Sequence, residues 1–210
     1  VSNFFAIRYL KEKTKKKEVS LGLDFKDQLS IVQNLPFELT SKQKKAVRDI
    51  NELNNSTYRE SILLQGDVGS GKTIVAFLTA IPFISKNLQV AYMAPTEILA
   101  QQIYYNVNNL LPLDNLKSVL LTSNVKDKSE LYSKIKKNKF NFIVGTHAIF
   151  QEKLEFNNLS YVIIDEQHRF GVEQRLSLAE KGINTNILLM SATPIPRTLA
   201  LAHYGEIEQI

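Results

Sequence analysis

The sequence predicts an α/β fold: a mainly parallel central sheet flanked by helices, with an N-terminal helical appendage. Three observations predict it. From Leu39 onward, short apolar runs rich in β-branched residues alternate with longer helix-patterned segments, as repeated βαβ units do. One such run, SILLQ, leads directly into the glycine-rich stretch Gly66-Asp67-Val68-Gly69-Ser70-Gly71-Lys72-Thr73. Another, Val162-Ile163-Ile164, stops abruptly on two adjacent acids, Asp165 and Glu166.

Taken in order, residues 1–36 read as an appendage or linker from a preceding domain. It has an apolar start, a basic run over 8–17, a break at Gly22, and an amphipathic stretch through Phe25, Leu29, Val32 and Leu35 that ends at Pro36. Residues 37–210 read as one domain. Strands are expected at Ser61–Gln65, Gln89–Ala94, Lys117–Leu121, Phe142–Gly145, Tyr161–Asp165 and Asn186–Ser191. Their β-branched runs lack polar alternation, which suits strands buried on both faces. Helices are expected to begin near Lys72, Thr96, Lys126, Glu173 and Pro196. Right-handed crossovers then place every strand's carboxyl end on one edge of the sheet, where ligands bind in such folds.

Composition narrows the classes. The chain has 210 residues with 44% apolar content, enough for a core without covalent staples. It has no cysteine, which excludes disulfides and thiolate metal sites and fits a reducing compartment. No apolar run approaches membrane-spanning length. The start, VSNFF, has neither an initiating Met nor a signal-peptide layout, so an internal fragment of a longer protein is expected. Arg8, Lys11, Lys13, Lys15, Lys16 and Lys17 against Glu12 account for the whole net charge of +5. Such a run is either a solvated helix face or a weak attraction for phosphate backbones.

Gly66 to Thr73 is a full match to G-x-x-x-x-G-K-[ST] in the strand-to-helix setting that the motif requires. The glycines let backbone N–H groups surround phosphate oxygens, and the following helix points its N-terminus at the same charge. Lys72 reaches the β- and γ-phosphates, and the Thr73 hydroxyl is a Mg²⁺ ligand. Asp165 then holds Mg²⁺ through water while Glu166 polarises an attacking water, the arrangement of a hydrolase. Ser191 and Thr193, ending the strand at Asn186, either hydrogen-bond Glu166 or His168 or simply allow a tight strand exit. Upstream, Thr40 and Gln43 form a capping box. The alternative is that Gln43 pairs with an adenine edge while Phe37 packs on the ring. Thr96 is an N-cap with Glu97 in the first turn, a position that also suits a nucleic-acid phosphate.

In this order and spacing, GDVGSGKT, MAPTEILA, GTH, DEQH and SATPIPRT resemble the first motor lobe of superfamily 2 DNA helicases, and more narrowly the RecG family of bacterial ATP-dependent helicases. The resemblance runs from about Leu35 to the C-terminus. The neighbouring family of transcription-repair coupling translocases usually has DEEH where this chain has DEQH. Gln167 and Ser70 favour RecG.

The resemblance implies a RecA-like P-loop NTPase lobe that uses ATP and Mg²⁺. It also implies action on branched or forked DNA in recombination and repair, in a bacterial cytoplasm at the nucleoid, with no membrane partner. A second RecA-like lobe and a junction-recognising wedge domain are implied in the full-length chain. Gln43 then belongs to adenine recognition, Thr96, Glu97, Thr146 and His147 to segments that contact DNA, and Gln167, His168, Ser191, Ala192 and Thr193 to coupling. Thr122-Ser123-Asn124 stands where that family often has T-G-S, which counts against a backbone contact to DNA there. A nucleotide-binding regulatory module without hydrolysis is the competing class, and the Asp165-Glu166 pair argues against it.

Overall fold

The computed structural model describes residues 5–11, 21–122, 125, 127–165, 185–192 and 206–209. Its strands are β1 (Phe5–Lys11), β2 (Ser61–Gly66), β3 (Gln89–Met93), β4 (Ser118–Leu121), β5 (Phe142–Gly145), β6 (Leu159–Ile164), β7 (Asn186–Ser191) and β8 (Glu206–Gln209). Helices α1 (Lys26–Gln33), α2 (Ser41–Asn54), α3 (Lys72–Ser85), α4 (Glu97–Leu110) and α5 (Lys128–Lys136) lie between them. A short 3-10 turn covers His147–Phe150.

The described strands form one sheet in the order β4-β5-β3-β6-β7-β2-β1-β8. The ladders from β4 through β2 are all parallel, so the mainly parallel α/β architecture read from the sequence is observed. β1 departs from the expected helical appendage. It runs antiparallel along β2, from Phe5 opposite Gly66 to Leu10 opposite Ser61, and β8 pairs antiparallel with β1. The ladder that stabilises β1 joins segments more than fifty positions apart, and no local pattern reports such a partner. Within the appendage, α1 is helical as expected. The helices expected from Glu173 and Pro196 lie outside the described residues.

Period-two alternation explains why both faces of the sheet are dry. Ile62, Leu64, Val90, Tyr92, Phe142, Val144, Tyr161 and Ile163 face one way, into a core shared with the first four helices. Leu63, Ala91, Met93, Ile143, Val162 and Ile164 face the other way, against Ile135, Ile149 and Leu154. α3 is buried from Ile74 through Ile84 because it is apolar all round, and it lies at the centre of the first layer. Leu23 and Ile31, from the segment before Pro36, join that same core.

The amino edge of the sheet is tied by buried amides. Gln89 donates from Nε2 to Ile135 O at 2.8 Å and to Phe140 O at 3.0 Å, and its Oε1 accepts from the N–H groups of Asn157 and Asn158. Asn141 accepts from Lys117 N at 2.8 Å and donates to Asn115 O at 2.8 Å. Asn186 accepts from Glu60 N at 3.0 Å and donates to Asn54 O at 3.1 Å. Each side chain replaces ladder partners at a strand start.

Candidate functional site

The opposite, carboxyl edge collects the sequence-predicted residues. β2 ends at Gly66, and α3 begins six residues later at Lys72. Between them the chain turns tightly: Ser70 N donates to Asp67 O at 3.1 Å, and Gly69 and Gly71 take φ values of +76° and +83°. That left-handed region is open to glycine at little cost. At Gly71 a side chain is excluded twice, because a Cβ there would run into Gln43 Nε2.

Lys72 folds back over the loop, its ammonium donating to Gly66 O at 2.7 Å and to Asp67 O at 2.9 Å. Ser70 is buried, and its Oγ has no hydrogen-bond partner among the described residues. Val68 stands at the exposed tip. A helix N-terminus, left-handed glycines, a buried hydroxyl and an ammonium held at one loop together fit a phosphate chain.

Gln43 makes both halves of the capping box: its N–H donates to Thr40 Oγ1 at 3.2 Å, and its Oε1 accepts from Thr40 N at 2.9 Å. Its Nε2 also donates to Ser70 O at 2.9 Å, which ties the start of α2 to the loop. The spacing alone did not reveal this third bond. Phe37 lies just ahead of α2 with its ring half-exposed, at 46%.

Asp165 follows β6 directly, its N–H donating to Met93 O at 3.0 Å. One carboxylate oxygen, Oδ2, accepts from the hydroxyl of Tyr92 on the neighbouring strand β3 at 3.4 Å. Tyr92 is fully buried, and the Thr73 side chain is among the groups that act on its hydroxyl. Burial foremost, and then the Asp165 charge, hold the Tyr92 hydroxyl well above its ordinary pKa, so it stays protonated. Asp165, one of the two predicted metal ligands, is thus held by a phenol that sequence reading passed over as core. Among the described residues no cluster of three His, Cys, Asp or Glu side chains is present. One carboxylate and one hydroxyl beside a phosphate chain are the modest protein set that Mg²⁺ takes.

Ser191 ends β7 and is paired in register with Gln65, the residue before the loop, and Ala192 follows it half-buried. Across the sheet, β3 and β5 bring two other segments together, with Ala94 N donating to Gly145 O at 2.9 Å. Thr96 caps α4 through a bond from Leu99 N at 3.2 Å, with Glu97 in the first turn. Thr146 and His147 open the 3-10 turn beside it, and Thr96 and His147 are exposed. The edge is therefore divided: the phosphate loop and Ser191 sit on one side, Thr96 and Thr146 on the other, and Asp165 with Tyr92 between them. Glu166, Gln167, His168 and Thr193 lie outside the described residues.

The sequence model of the DEAD/DEAH box helicases matches residues 40–202. The chain belongs to that family. Within these helicases, its curated relatives are ATP-dependent DNA helicases named RecG, in keeping with the resemblance carried by the motifs. That of Borreliella burgdorferi is 51% identical over 85% of this chain and 26% of its own length. That of Bacillus subtilis is 46% identical over 86% of this chain and 27% of its own. The chain thus spans about a quarter of the length of these relatives. Among solved structures, a DEAD box protein from Methanococcus jannaschii superposes with a TM-score of 0.65 at 24% identity, over 92% of this chain and 55% of that one. A Dbp5 from S. cerevisiae, solved with RNA and ADP BeF3, gives a TM-score of 0.67 at 22% identity, over 90% of this chain and 50% of that one. At these identities the two structures speak for the fold. No helix among the described residues is long and apolar enough to cross a membrane.

Proposed function

We propose that this chain is the ATP-binding motor lobe of a RecG-type helicase or translocase that remodels branched DNA, both forks and Holliday junctions, in a bacterial cytoplasm. The observation that carries this is the arrangement along the carboxyl edge: the phosphate loop after β2, Asp165 after β6 bonded to Tyr92 on β3, and the exposed Thr96 and His147 segments after β3 and β5. It is supported by RecG relatives at 43–51% identity.

In this reading Lys72 leaves Gly66 O and Asp67 O for the phosphate oxygens, trading two carbonyls for a stronger, fully charged partner. Thr73 and Asp165 would hold Mg²⁺, which when bound neutralises charge between the β- and γ-phosphates. Glu166 accepts a proton from the attacking water. Gln43 spends one N–H on Ser70 O, so its amide retains one donor and one acceptor lone pair for an adenine edge, with Phe37 as the stacking ring. Gln167, His168, Ser191, Ala192 and Thr193 carry nucleotide state to the second lobe, and Thr96, Glu97, Thr146 and His147 contact the DNA backbone. The second lobe, which supplies arginines to the γ-phosphate, and the wedge domain are assigned to the remainder of the parent protein.

Steady-state ATP hydrolysis tests this. The parent should be stimulated strongly by forked DNA and the 210-residue chain hardly at all, since an arginine from a neighbouring domain is commonly worth about 10³ to 10⁵ in rate. Stimulation of the parent by RNA alone would overturn the DNA assignment, and absence of turnover would favour a regulatory nucleotide module.

A further inference from the structure

We infer that Tyr92 is a positioning residue for the metal, its hydroxyl setting the orientation of the Asp165 carboxylate. The inference rests on the nucleotide reading above and names a group that no motif contains. A carboxylate can only accept, so the bond between Tyr92 and Asp165 Oδ2 fixes the phenol as donor on that side. That bond fixes the rotation of the carboxylate, as an outer partner of a metal ligand does.

The ring is held independently of its hydroxyl. Tyr92 is fully buried, tilted against Phe77 of α3 with centroids 6.0 Å apart and against Phe142 of β5 at 6.4 Å. Removing only the oxygen therefore leaves the packing in place. A second buried phenol provides the comparison: Tyr161 stacks on Phe83 with centroids 4.6 Å apart and bonds Thr79 at 3.1 Å, away from the loop.

The experiment measures binding of a fluorescent ATP analogue to the parent protein with Mg²⁺ and with EDTA, for wild type, Tyr92→Phe and Tyr161→Phe. Mn²⁺ titrations followed by electron paramagnetic resonance accompany it. Tyr92→Phe should weaken binding of the metal–nucleotide complex and of Mn²⁺ by about tenfold, the scale of losing an outer partner of a metal ligand. Its metal-free nucleotide affinity should be unchanged. Tyr161→Phe should leave the metal dependence alone and lower only the melting temperature. Equal losses with and without metal in Tyr92→Phe, or no loss at all, overturn the inference. A wild type whose nucleotide binding ignores Mg²⁺ instead overturns the nucleotide reading on which it rests.

Discussion

Replacing Gly71 by alanine separates two costs that the phosphate loop imposes, because Gly69 supplies an internal reference. Both residues hold left-handed backbone, at φ +83° and +76°. A side chain there costs roughly 1–2 kcal/mol in each case. At Gly69 a Cβ meets nothing within 4 Å, so Gly69→Ala should lose only that amount. At Gly71 the new Cβ displaces Gln43 Nε2, which breaks its bond to Ser70 O. A net hydrogen bond of this kind adds about 1 kcal/mol, so Gly71→Ala should be destabilised by roughly 2–3 kcal/mol. Urea denaturation of the nucleotide-free 210-residue chain gives both values. In a Gln43→Ala background, Gly71→Ala should fall to the cost of Gly69→Ala, a coupling of about 1 kcal/mol. Equal destabilisation by the two glycine variants, or strict additivity with Gln43→Ala, would show that the contact between Gln43 and the loop carries no energy.

Lys72→Ala should lower ATP turnover of the parent by about 10²- to 10³-fold, the usual loss when one donor to developing charge is removed; near-normal turnover would take the loop out of the mechanism. In the nucleotide-free chain the same variant should speed amide exchange between Gly66 and Ser70, because the ammonium no longer bridges Gly66 O and Asp67 O. Glu166→Gln should keep nucleotide binding while hydrolysis falls by about 10²- to 10⁴-fold, and parallel loss of both would mean that the roles of the two acids have been exchanged. At the start of α5, the backbone N–H of Glu130 first and then the Ser129 hydroxyl hold the Asp127 carboxyl below its ordinary pKa. The folded pKa is the lower one, so this cap is at full strength above the ordinary Asp range and is lost as pH falls through the depressed value. The Glu130 amide resonance should follow that titration and lose its pH dependence in Asp127→Asn; a midpoint at the ordinary Asp value would remove the cap from the account.

The six parallel strands were legible because each is a short apolar run, buried on both faces except at the edge strand β4, and the sequence pattern reports burial directly. Errors at their ends have local causes. Ser160 looked like loop but sits in β6 with its hydroxyl on Asn158 O, and Lys117 looked like strand but gives its N–H to the Asn141 side chain. β1 was illegible because its ladder partner is remote. Within the candidate site, the loop residues and Asp165 were readable from motif and setting alone. Tyr92 was not: its hydroxyl acquires meaning only once β3 lies beside β6, and the two bonded residues are 73 positions apart in the chain.

The amides that close the amino edge of the sheet have a consequence for how this protein tolerates change. Gln89, Asn141 and Asn186 each hold strand starts through several bonds, at the end of the molecule farthest along the strands from the phosphate loop. Damage to them should reduce how many molecules are folded while leaving each folded molecule as fast as before. Damage around Lys72 or Asp165 should do the reverse. A cell carrying the first kind of variant would be rescued by making more protein or by growing cooler; a cell carrying the second would be rescued by neither.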